Sequence, residues 1–135
     1  MTTYWADTAI TTSGDLDVGG RVLFYGHMWP SCRDYTAFGG GGQANATQLD
    51  RMVCWVTTVA APADSVKLYA VPIHSNPGIC GPRTIVINLG ANACDIYPGA
   101  GCQIDALGAN NPYSLAAGGK REFWPSSATQ WYSFA

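Results

Sequence analysis

Apolar and polar residues alternate along this chain in short bursts that never settle into a helical rhythm. Period-2 runs cover Arg21–Met28 (RVLFYGHM), Arg51–Val59 (RMVCWVTTV), Ser65–Val71 (SVKLYAV), Arg83–Leu89 (RTIVINL), Cys94–Tyr97, Cys102–Leu107 and Arg121–Phe134, the last broken at Pro125. Alternation of this length, in stretches rich in Val, Ile, Thr, Tyr and Trp, is the mark of half-buried strands. No window keeps an apolar i, i+3, i+4, i+7 pattern for three turns, and 16 glycines and 8 prolines punctuate the chain throughout. The pattern predicts an all-β fold, a single antiparallel β-sandwich or barrel of about seven to nine short strands in one domain over residues 1–135.

Within RTIVINL, Ile85 and Ile87 share one face, opposite Thr84, Val86 and Asn88. The isoleucines are expected to point inward and to form one core with Ile96, Ile104, Leu115, Phe123 and Trp131. Between the strands, Gly39–Asp50 (GGGGQANATQLD) opens on four consecutive glycines and predicts a flexible Gly-rich loop over 39–50, because such residues lose the most backbone entropy on ordering. Pro72–Pro82 (PIHSNPGICGP) predicts an exposed excursion that presents Cys80. The Thr-rich stretch 1–19 lacks alternation and is a candidate extended arm.

Charge narrows the partners. Only 12% of residues are charged, and seven Lys and Arg against nine Asp and Glu leave a formal net charge of −2. With no basic stripe, the sequence predicts no direct contact with nucleic acid and none with an anionic membrane. No apolar run approaches the roughly 20 residues that a helical membrane span requires, and the start MTTYWADTAITT has no signal-peptide pattern, so synthesis in a cytoplasm is expected.

The C-terminal half carries a more specific pattern. The run INLGANACDIYPGAGCQIDALGAN, followed by YSLAAGG and SATQWYSF, with ADSVKL upstream at Ala63–Leu68, resembles a β module of small structural proteins of tailed bacteriophages. In that module an Asn-ended strand precedes an ANA turn, an aliphatic strand closes on Tyr-Pro, and an LAAG turn leads to a terminal strand around a Trp. The resemblance implies a virion component assembled in the host bacterial cytoplasm, a capsid decoration or accessory protein. Its partners would be a major or minor capsid protein and copies of itself. The implied role is non-enzymatic, with no cofactor. An alternative is a tail or head-fibre accessory domain that binds a host receptor or glycan.

Cys32, Cys54, Cys80, Cys94 and Cys102 are spaced by 22, 26, 14 and 8 residues with no close pair, so a zinc site is not expected. Cys54, in the middle of a strand, is expected buried and free. Cys32, Cys80, Cys94 and Cys102 sit beside turn residues, and an odd count leaves at least one without an intrachain partner. In a particle that leaves the reducing cytosol these four are candidates for intermolecular disulfides. At the matching places of the phage module Cys94 and Cys102 would be small or polar residues, so this chain departs from the pattern there.

The remaining chemistry is sparse. Glu122 is the only glutamate, the eight aspartates are dispersed, and His27 and His74 lie 47 residues apart. No acid and base pair, nucleophile or metal set is legible, and no catalytic residue is assigned. Trp5 and Trp29 are the interface candidates, whereas Trp131 is expected in the core.

Overall fold

The alternating stretches form strands. The computed structural model describes residues 30–40, 42–71 and 81–135; the expected arm over 1–19, the strand over 21–28 and residues 72–80 of the excursion lie outside the described residues. The elements run, in chain order, β1 (Cys32–Thr36), α1 (Gly42–Asn45), β2 (Thr47–Gln48), β3 (Val53–Thr58), β4 (Ser65–Lys67), β5 (Thr84–Asn88), β6 (Cys94–Tyr97), β7 (Gln103–Ile104), β8 (Tyr113–Leu115), β9 (Lys120–Pro125) and β10 (Gln130–Phe134). They make a six-stranded sheet in the order β1-β3-β5-β9-β10-β7 and a four-stranded sheet in the order β2-β4-β6-β8. The fold is all-β, in two sheets.

The expectation of a purely antiparallel arrangement is corrected. From β1 to β8 the chain visits the two sheets in strict alternation, and from β1 to β6 each strand meets its neighbour in the same sheet one coil later and in the same direction. Thus β1, β3 and β5 pair in parallel, as do β2, β4 and β6. Parallel neighbours need a crossover, and here the strand in the other sheet serves as one. Direction reverses only at the C-terminal end, where β8 pairs with β6, β9 with β5, and β10 with β9 in antiparallel fashion. β10 and β7 are again parallel.

The register shows how regular the coils are. Cys32 pairs with Val53, a step of 21, and Thr47 with Val66, a step of 19. In the next coil Val53 pairs with Ile85, a step of 32, and Ser65 with Asp95, a step of 30. Both sheets lengthen by the same 11 positions, because the segment between β4 and β5 belongs to the second coil of each.

Both sheets feed one hydrophobic cluster. It contains Tyr35, Cys54, Val56, Val86, Ile104, Phe123 and Trp131 from the larger sheet and Val66, Cys94, Ile96 and Leu115 from the smaller. Ile96, Ile104, Leu115, Phe123 and Trp131 are buried as the alternation predicts. Ile85 and Ile87 are not. In β5 the buried positions are Thr84, Val86 and Asn88, while the two isoleucines are half-buried on the opposite face. The face was misassigned because Asn88 finds polar partners inside. Its Nδ2 donates to the carbonyls of Asn92 (2.9 Å), Leu115 (3.0 Å) and Ala116 (3.1 Å), and its Oδ1 accepts from Gly90 N–H at 3.0 Å. A buried amide so satisfied carries little desolvation penalty. Next to it Gly90 lies so close to Val59 that a Cβ there would meet Val59 N and Cβ at 2.6 Å.

The stretch 39–50 is also corrected. Where four glycines predict a flexible loop, Gly40 and Gly42 take positive φ (64° and 58°), α1 follows at once, and Ala46 and Leu49 are buried. Gln43 Nε2 donates to Pro98 O at 2.8 Å and Leu49 N–H to Lys67 O at 2.9 Å. The apolar residues after the glycines anchor the segment in the core.

Candidate protein-docking surface

One face of the six-stranded sheet packs on the core; the other carries an apolar surface built by strict alternation. Cross-strand register sets out its rows. Asp34, Trp55, Ile87 and Lys120 form one row across β1, β3, β5 and β9, and Cys32, Val53, Ile85, Glu122 and Phe134 form the next, reaching β10. Beyond them Trp124 pairs with Tyr132. Trp55, Trp124, Tyr132 and Phe134 are 40%, 41%, 47% and 52% exposed, large values for aromatic side chains on a single face. Isolated exposed apolar residues are ordinary, but a contiguous set on one sheet face marks an interaction surface.

At the β9–β10 corner the aromatics are held in place. Trp124 and Phe134 meet edge to face with centroids 6.5 Å apart, the Trp124 indole N–H donates to Glu122 Oε2 at 2.8 Å, and the Arg83 guanidinium lies 5.5 Å from the Trp124 ring centroid. Arg83 also pairs with Glu122 at 3.5 Å. A depression of about 400 Å³ opens between Glu122, Trp124 and Phe134, and another of about 210 Å³ between Ile85, Ile87, Lys120, Arg121, Glu122 and Ala135. The corner is thus rigid, apolar and nearly neutral, suited to receiving an apolar side chain from another protein.

Two aspartates, Asp50 and Asp105, hold the scaffold together. Asp50 accepts from the Tyr35 hydroxyl at 2.5 Å and pairs with Arg51 (3.1 Å) and Arg33 (3.4 Å). The Tyr35 bond, with the two guanidiniums, holds the Asp50 carboxyl below its ordinary value, while burial and the same bond push the Tyr35 phenol up. Asp105 ties β10 to the end of β7, its Oδ1 accepting from Ser133 N–H at 2.9 Å and its Oδ2 from the Ser133 hydroxyl at 2.7 Å. Among the described residues there is no group of three or more His, Cys, Asp and Glu that could hold a metal, and no helix long and apolar enough to cross a membrane.

The thiol candidates divide. Cys32 is exposed and free on the outer row of β1. Cys94 and Cys102, expected at the surface beside their turns, are buried, as is Cys54. This is a correction, and its reason is local. Cys94 alternates inward with Ile96 along β6, and Cys102 turns under the 99–102 bend to face Ala128 O at 3.3 Å. Cys80, Trp5, Trp29, His27 and His74 lie outside the described residues. Sequence reasoning missed Trp55 and Trp124, although each alternates with buried neighbours, Cys54 and Val56 for the first, Phe123 and Pro125 for the second.

Burial pushes the thiols of Cys54 and Cys102 up and that of Cys94 up to about 12. Of Cys32, Cys54, Cys94 and Cys102, only Cys32 is expected to react quickly with a disulfide reagent in the native protein near pH 8, the other three reacting after denaturation. Because the folded value of Cys94 is raised from 9.0, its contribution is complete below about pH 9 and is lost as pH climbs through the folded value near 12. Stability measured from pH 8 to 11 should fall accordingly. Mass mapping that found Cys94 or Cys102 labelled as fast as Cys32 would overturn this assignment.

Comparison with family profiles, with curated proteins and with solved structures yields no match for the chain.

Proposed function

We propose that this chain is a non-enzymatic structural protein of a tailed-phage virion, with its two sheets facing each other as a β-sandwich, and that it decorates or cements the capsid shell. The observation that carries this reading is the rigid aromatic corner of Trp124, Tyr132 and Phe134, exposed on a nearly neutral sheet face. An apolar corner of this kind gains most by burial against protein. The sequence supports the reading through the phage-like order of its C-terminal words, whose Ile96, Ile104, Leu115, Phe123 and Trp131 form part of one core. Covalent reinforcement between subunits then falls to exposed Cys32 and to Cys80, which lies outside the described residues, since Cys94 and Cys102 are buried.

Glycan binding by a fibre domain is the less favoured reading. Sugar stacking needs an open ring face with free hydrogen-bonding groups beside it, and at Trp124 the indole N–H is taken by Glu122 while Arg83 lies over the ring.

Purified chain added to virions depleted of it should co-sediment with them and raise their resistance to heat. Phe134→Asp or Trp124→Asp should weaken that binding at least about tenfold, the cost of losing one well-packed aromatic anchor. Failure to bind the particle, together with saturable binding to host surface polysaccharide, would replace this reading with the glycan one.

A further inference from the structure

We infer that the central part of the same sheet face seats a second copy of this chain, the two sheets packed face to face about a two-fold axis that runs along the strands between β3 and β5. The inference rests on the reading of this face as a protein-docking surface and names the occupant of its centre. The argument starts from the row Asp34–Trp55–Ile87–Lys120. Two apolar residues are flanked at equal distance by opposite charges, and among the described residues neither Asp34 nor Lys120 has an ion-pair or hydrogen-bond partner for its side chain.

A two-fold axis between β3 and β5 exchanges the ends of that row. Asp34 of one copy then faces Lys120 of the other, and Trp55 faces Ile87, each contact occurring twice as an isologous interface requires. The next row obeys the same operation, Val53 meeting Ile85. The guanidiniums nearest the centre do not oppose it, because Arg51 is paired with Asp50 at 3.1 Å and Arg83 with Glu122 at 3.5 Å within their own chain. A heterologous partner would have no need of a surface whose charges are complementary to themselves.

The offset also separates the two docking functions of the face. With the axis between β3 and β5, the β1–β3–β5–β9 part of one copy covers the same part of the other. β10 lies one strand spacing, ~4.8 Å, further out than the partner's β1 reaches. Tyr132 and Phe134 therefore stay open to the shell while the centre is closed by the second copy, and Trp124, on β9 one row beyond Glu122, lies past the start of the partner's β1 at its Cys32 row.

The test is sedimentation of the full chain across a concentration series, with charge-reversed variants. The wild type is expected to dimerise reversibly, with Asp34→Lys or Lys120→Asp weakening the dimer at least tenfold and the double variant Asp34→Lys/Lys120→Asp recovering most of the loss. Trp55→Asp should leave a monomer, and circular dichroism and melting of each variant establish that it is folded. The double variant keeps the test decisive, since a merely destabilised fold would not be rescued by a second reversal. A wild type that stays monomeric overturns the inference, whether Trp55 is then open to acrylamide quenching or shielded by residues 1–29. A dimer indifferent to both charge reversals and to Trp55→Asp also overturns it, by placing the contact elsewhere. Co-sedimentation with depleted virions is scored separately. A monomer that still binds them through Phe134 refutes the pairing and keeps the virion role, whereas a two-fold dimer that never binds them does the reverse.

Discussion

Asn88→Ala is expected to destabilise the fold by ~3 kcal/mol or more, the largest effect of any polar substitution among the described residues. A buried acceptor left without a donor costs about 1–3 kcal/mol, and Asn88 serves more than one. Its Nδ2 holds the carbonyls of Asn92, Leu115 and Ala116, and its Oδ1 fixes Gly90 N–H. These bonds join the end of β5 to the turn after it and to the end of β8, three segments that no other side chain among the described residues joins in this way. Asn92 extends the junction, donating to Val59 O and Ala60 O, both at 3.0 Å. Asn88→Asp is expected to be no better, because a carboxylate cannot donate to the three carbonyls. Urea unfolding should show a lower midpoint at unchanged slope for both variants. If Asn88→Ala unfolds within about 1 kcal/mol of wild type, the ordinary net value of one hydrogen bond, the junction is not what holds these segments together.

Trp131→Ala is expected to cost ~3–5 kcal/mol, the range for removing a large buried ring from a packed core. Trp131 is fully buried, and Tyr69 meets it edge to face with centroids 5.1 Å apart. Tyr69 in turn donates its hydroxyl to Pro82 O, and burial pushes its phenol up to about 12. The ring therefore links β10 to the chain just before β5. Trp131→Phe should cost far less, roughly 1–2 kcal/mol, the cavity left by the smaller ring alone. The indole N–H adds little to that loss, since it is buried without a hydrogen-bond partner among the described residues. Thermal melts of the two variants against wild type check the ratio. Equal costs for Ala and Phe would mean that the indole nitrogen, and not the packed ring, is what matters.

Both predictions concern places where alternation alone could not decide. Period 2 locates β3, β5, β6 and β9 and separates the residues of each into two sets, but it is silent on which set faces inward. For the set Ile96, Ile104, Leu115, Phe123 and Trp131 the neighbours are more polar or smaller, and hydrophobicity settles the matter. In β5 hydrophobicity points the wrong way, because the outward isoleucines belong to the exposed apolar face of a sheet and the inward Asn88 is stabilised by carbonyls contributed from elsewhere in the chain. The cysteines follow the same logic. Adjacency to a turn places Cys94 and Cys102 near the surface in sequence, whereas the pleat turns Cys94 into the core and the 99–102 bend turns Cys102 under itself.

What the sequence determined by itself is the all-β class, the positions of most strands and the inward set of the C-terminal half, since each depends on local periodicity and turn chemistry. What the tertiary structure decided is the parallel winding between two sheets, the burial of the segment after the four glycines, and the gathering of Trp55, Trp124, Tyr132 and Phe134 onto one face. These depend on contacts between residues far apart in the chain. Direction of pairing is set by where a crossover delivers the next strand, and no single strand carries that information.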